Sequence, residues 1–136
     1  MANSPIQRIL APVDLSSCSR SALEFACSLA ATCGASVEVL FVSGATSTTP
    51  QANGADAAEL QRFVASVPGT AAVPITERIE PGDARERIIA LAAAGFDAIV
   101  LGTHGRTGRP RSLAGSVAEG VVRTAACPVI TVREPR

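Results

Sequence analysis

Along the 136-residue chain, short apolar runs alternate with stretches in which apolar residues recur every three or four positions. The first run, Ile6 to Val13, closes at Asp14 and predicts a strand. A serine-rich stretch, Ser16 to Ser21, supplies candidate N-caps for a helix carrying Leu23, Ala26, Leu29, Ala30 and Cys33. Gly34 then predicts a left-handed stop. Val37 to Val42 is almost continuously apolar, as expected of an inner strand covered on both faces. Ser43 to Gly54 reads as a polar loop, rich in small and hydroxylated residues.

The second half repeats the alternation. Leu60, Phe63, Val64 and Val67 have the spacing of an amphipathic helix, broken at Pro68-Gly69. Val73, Ile75 and Ile79 alternate with polar residues around Pro74, which predicts an edge strand. Asp83-Ala84-Arg85-Glu86 is a capping box for a helix containing Ile88, Leu91 and Ala92, ended by Gly95. Ala98 to Leu101 is the fourth strand. Ser116-Val117-Ala118-Glu119 repeats the capping-box pattern and starts a helix running to about Thr124, and Pro128 to Val132 is the fifth strand. Five strands alternating with four helices predict one α/β domain over residues 1–136, an open parallel sheet with an ordered core over about 6–133.

Composition removes several function classes. Twelve basic and twelve acidic residues leave no net charge, against the positive excess needed to coat nucleic acid or dock on an anionic membrane. The aromatic residues are four Phe, too few for a base-stacking surface. Every basic residue is Arg, so neither a P-loop lysine nor a Schiff-base lysine is available. The start of the chain shows no signal peptide and no apolar run reaches the length of a membrane span, so a cytoplasmic location is expected. Cys18, Cys27, Cys33 and Cys127 have no metal-ligand spacing and are expected as free thiols, with a redox role at Cys18 the lesser alternative.

The most specific pattern lies between the last two strands. Ala98-Ile99-Val100-Leu101 ends in Gly102-Thr103-His104-Gly105, and Gly115-Ser116 opens the next helix, giving the spacing G-x2-G-x9-G-[ST]. Glycines permit close backbone approach to an anion, and the first N–H groups of a helix point at it. A capped glycine-rich connection is the structural alternative. This spacing, with its flanking strands, resembles the nucleotide-binding subgroup of the universal stress protein family, and the resemblance runs from Ile9 to Val132.

The resemblance implies a Rossmann-like strand order 3-2-1-4-5. It implies a nucleotide site built from Pro12, Val13, Asp14, Val42, Gly102, Thr103, His104, Gly105, Arg106, Gly115, Ser116 and Val117. In it the backbone of Val42 meets the adenine edge, and Asp14 meets ribose hydroxyls or, through water, a phosphate-bound Mg²⁺. No side chain ligates metal directly. For Asp14 the residues alone leave a second role open, N-capping of the first helix. Arg106, Arg109 and Arg111 could neutralise phosphate or simply be solvated. Between the glycines the chain departs from the family: Pro110, Arg111 and Ala114 replace bulky apolar residues and leave Leu113 alone, which lowers the expected affinity.

Chemistry beyond binding is not expected. His104 is the only histidine and lacks an identifiable orienting partner or nucleophile, and Thr103 lacks a base. The resemblance implies an ATP-binding (or ADP- or AMP-binding) regulatory stress protein, a homodimer through Pro128–Val132, with at most slow, incidental ATP hydrolysis. One alternative is an interaction module of the same type that binds no nucleotide. The other is an adenylyl-transfer or ATP pyrophosphatase enzyme, whose Ser-Gly-Gly-x-Asp-Ser loop is replaced here by Asp14-Leu15-Ser16-Ser17-Cys18-Ser19.

Overall fold

A computed structural model describes residues 5–43, 50–103 and 116–134, with the side chains of 50–55 and 116 left aside. The elements follow in the order β1 (Arg8–Val13), α1 (Ser17–Cys33), β2 (Ser36–Val42), α2 (Pro50–Ser66), a 3-10 turn (Thr70–Ala72), β3 (Ile75–Glu80), α3 (Ala84–Ala92), β4 (Ala98–Gly102), α4 (Ser116–Thr124) and β5 (Val129–Val132). The five strands are parallel and ordered β3-β2-β1-β4-β5. This is the α/β open sheet expected, with β3 at an edge.

Two cores form because each face of the sheet is covered by a different helix pair. On one face Leu23, Ala26 and Ala30 of α1 and Leu60 and Val64 of α2 pack on Ile9, Ala11, Val37 and Val39. On the other, Ile88 and Ala92 of α3 and Ala118 and Val121 of α4 pack on Leu10, Leu40, Ile99 and Leu101. Successive residues of β1, β2 and β4 thus point into alternate cores, so these strands read as nearly continuous apolar runs, interrupted within β2 by Glu38.

Several boundaries differ from expectation, each for a local reason. β1 starts at Arg8 rather than Ile6, because the Asp97 carboxylate takes the N–H groups of both Gln7 and Arg8 at 3.0 Å. Residues 50–54, expected in a polar loop, are the first turns of α2. Pro50 is the first helical residue, where its fixed φ is suitable and its missing N–H costs nothing, and Ala52, Ala55, Ala57 and Ala58 favour continuation. Residues 44–49, the rest of that loop, lie outside the described residues. α3 ends at Ala92 and Gly95 follows at φ 126°, while Pro74 and Pro128 precede their strands and give carbonyls to Val37 and Ile99, both at 2.9 Å.

Pro12 shapes the sheet at one place. Ser36 N–H donates to the Gln7 carbonyl and Asp97 N–H to that of Arg8, so odd positions of β1 face β2 and even ones face β4. The ladder with β2 runs from Arg8 to Val13, but that with β4 stops at Leu10↔Ile99. Pro12 faces β4 and has no N–H with which to extend it.

Candidate functional site

The chain winds outward from β1 to β2 and β3 on one side, then crosses back to β4 and β5 on the other. In an open parallel sheet, the crevice beyond the carboxyl ends of the strands at such a reversal is where ligands bind. Here that place is the β1/β4 boundary. Asp14 leaves β1 on one side of it, and Gly102 and Thr103 leave β4 on the other.

The turn after β1 is built from short polar side chains. Asp14 Oδ1 accepts the Ser16 N–H at 3.1 Å, and the Asp14 N–H donates to Ser19 Oγ at 3.3 Å. Ser16 Oγ accepts the Ser19 N–H at 3.1 Å, and Ser19 Oγ donates back to the Ser16 carbonyl at 3.1 Å. Ser16 is therefore the N-cap of α1. The alternative role for Asp14, capping this helix, is thereby replaced: its carboxylate closes the turn two residues earlier. Leu15, inside that turn, has φ 67°, the left-handed region that non-glycine residues rarely adopt. The polar ties around it and its packing on the α1–α2 core hold it there.

Gly102 is forced by packing. An added Cβ would lie 2.8 Å from Cys18 Sγ and 3.1 Å from both the carbonyl carbon and oxygen of Cys18. The exit of β4 thus lies directly against the first turn of α1. Thr103 is buried, its N–H donates to the Val132 carbonyl at 3.0 Å, and its Oγ1 is 3.9 Å from Cys18 Sγ. Cys18 Sγ donates to the same Val132 carbonyl at 3.4 Å, and Ser17 Oγ donates to Glu134 Oε1. Nothing in periodicity or spacing reveals this junction. Only the close approach at Gly102 makes Cys18 part of the site's frame.

Pro12, Val13, Asp14, Val42, Gly102 and Thr103 therefore stand at the carboxyl ends of β1, β2 and β4. His104, Gly105, Arg106, Arg109, Arg111, Leu113 and Gly115 lie outside the described residues. Ser116 is the first residue of α4, one place further into the helix than a capping-box serine, and Val117 beside it is 36 % exposed. All four cysteines are free. No described helix is long and apolar enough to cross a membrane.

Residues 5–133 match the universal stress protein family. A universal stress protein of Methanocaldococcus jannaschii is 44% identical over 61 residues, a stretch covering 45% of this chain and 36% of that protein. Among solved structures, the universal stress protein UspA of Lactobacillus plantarum superposes with a TM-score of 0.76 at 29% identity, covering 96% of this chain and 100% of that one. A universal stress protein in complex with cAMP gives 0.79 at 23% identity, covering 97% and 100%. One from Archaeoglobus fulgidus in complex with dAMP gives 0.72 at 23%, covering 93% and 97%. The family match takes in every strand and helix from β1 to β5, and the chain belongs to the universal stress protein family.

Proposed function

We propose that this chain is a nucleotide-responsive regulatory protein that binds an adenine nucleotide, ATP foremost, at the β1/β4 crevice. The observation that carries the reading is the juxtaposition of the Asp14 turn and the Gly102–Thr103 exit at the reversal of winding, with α4 beginning at Ser116. Backbone N–H groups of a glycine-rich connection and a helix start suit phosphate, and Asp14 suits ribose hydroxyls. The cAMP and dAMP complexes of structurally similar proteins support an adenine nucleotide as the ligand class. Mg²⁺ in this reading travels with the triphosphate. Asp14 then meets either the ribose hydroxyls or, through water, this ion.

Nucleotide serves here as a ligand rather than a fuel. A phosphoryl-transfer enzyme positions its nucleophile with a base, and the sequence offers neither an orienting partner for His104 nor a base for Thr103. The protein acts as a homodimer through β5. Mass spectrometry of nucleotide released on denaturing the purified protein, followed by calorimetric titration with Mg-ATP, tests the reading. Recovery of adenine nucleotide and saturable binding are expected. Absence of ATP, ADP and AMP binding would leave the interaction module without nucleotide as the function, and turnover at tens per second would make the protein an enzyme.

A further inference from the structure

Three elements meet at one thiol. Cys18, in the first turn of α1, is 3 % exposed and donates to the Val132 carbonyl at 3.4 Å. That carbonyl also accepts the Thr103 N–H at 3.0 Å, and Thr103 Oγ1 lies 3.9 Å from the same sulfur. Gly102 presses on Cys18 so closely that a methyl group would stand 2.8 Å from the sulfur and 3.1 Å from its backbone. One end of this junction is where β4 leaves for the candidate phosphate loop, and the other is the last residue of edge strand β5. A tightly packed contact has little compliance, so displacement at one end is passed on rather than absorbed.

We infer that Cys18 is a positioning residue that couples nucleotide occupancy at the β4 exit to backbone pairing along the free edge of β5. The inference rests on the proposed nucleotide site and β5 dimer. It adds that the two events are thermodynamically linked, and that the link runs through this side chain. Nucleotide that holds Gly102 and Thr103 in place also holds Val132, directly through the Thr103 N–H and, through the thiol that packs on Gly102 and donates to the same carbonyl, by a second tie that fixes its position. The outward N–H groups of Thr131 and Arg133 are thereby presented in fixed register. Linkage is reciprocal: whatever factor dimerisation adds to nucleotide affinity, nucleotide adds to dimerisation at each site.

The test titrates Mg-ATP into the full chain at protein concentrations above and below the dimer dissociation constant. Wild type should bind ATP at least about fivefold more tightly in the dimeric regime, the low end of ordinary allosteric coupling. Cys18→Ala, which removes the thiol, should reduce that difference below about twofold, and Cys18→Ser, which keeps a donor toward Val132, should restore it. A merely structural cysteine would change stability in both variants and leave the ratio intact. Equal ATP affinity in the two regimes for wild type, or an unchanged ratio in Cys18→Ala, overturns the inference while leaving the nucleotide site standing. No ATP binding in either regime overturns both. A second measurement needs no variant: below the dimer dissociation constant, saturating ATP should slow hydrogen exchange at Thr131 and Arg133. Unchanged exchange there overturns the coupling.

Discussion

Gly102 has two reasons to be glycine, and they make different predictions. Spacing marks it as the first residue of a phosphate-binding pattern, whereas the structure shows it wedged against the backbone of Cys18. Gly102→Ala should therefore cost about 1–3 kcal/mol of folding stability in urea denaturation, the ordinary penalty for overpacking a close contact. Gly105→Ala, at the second glycine of the spacing, should weaken Mg-ATP binding about tenfold or more with the fold retained. Equal stability of Gly102→Ala and wild type would disprove the packing role. A second residue carries a pH dependence. Cys27 is 1 % exposed in the α1–α2 core, and burial, with the nearby Glu24 charge, pushes its thiol from 9.0 up to about 11. Folding thus favours the protonated thiol. Its contribution is whole below pH 9 and is lost between pH 9 and 11 at about 1.4 kcal/mol per unit, roughly 2–3 kcal/mol in all. In reducing buffer, wild type should lose stability more steeply than Cys27→Ala across this interval, and parallel profiles would refute the assignment.

At the scale of elements, caps and apolar periods were legible because they are short-range chemistry. Asp83 illustrates this: the Asp-x-x-Glu pattern marks a helix start, and Asp83 Oδ2 accepts the Glu86 N–H at 3.0 Å. Asp83→Ala should cost about 1 kcal/mol and lower the melting temperature by roughly 4 °C, with nucleotide affinity unchanged because α3 contributes no residue to the proposed site. A melting temperature within experimental error of wild type would show that the cap does not hold α3. What escaped the sequence was of two kinds. Pro50 to Gly54 looked like a loop because polar and small residues mask helical propensity when no apolar stripe accompanies them. The incomplete β1–β4 ladder was hidden because the direction of the Pro12 backbone depends on register, fixed only when β1 lies between β2 and β4. The glycine at the carboxyl end of β4 was readable from spacing, and the candidate residues at the end of β1 from the family resemblance. The fact that Cys18 ties the β4 exit to the end of β5 was not, because 85 residues separate it from Thr103 and 114 from Val132.

At the scale of the molecule, alternation alone gave a parallel α/β domain, but the order β3-β2-β1-β4-β5 came from resemblance and is what the structure shows. That order leaves β5 as one edge, with a row of backbone groups facing outward. The Ile99 N–H donates to the Pro128 carbonyl and the Thr103 N–H to that of Val132, so even positions of β5 face β4 and Val129, Thr131 and Arg133 face away. Ile130 and Val132 pack on the α1–α2 core, and Val129 on the α3–α4 core. A charge at Ile130 would accordingly disturb the fold together with any assembly. Thr131 is the better probe, being exposed and pointing its N–H outward. Thr131→Pro removes one donor from the free edge and spares the ladder with β4, a substitution edge strands tolerate. If two copies pair antiparallel along β5, wild type should sediment as a dimer at micromolar concentration and Thr131→Pro as a monomer, with the far-ultraviolet circular dichroism unchanged. A monomeric wild type would reject the dimer outright. A Thr131→Pro variant that stays dimeric would move the interface off this edge, because no antiparallel pairing there survives the loss of its central outward donor without a measurable fall in affinity.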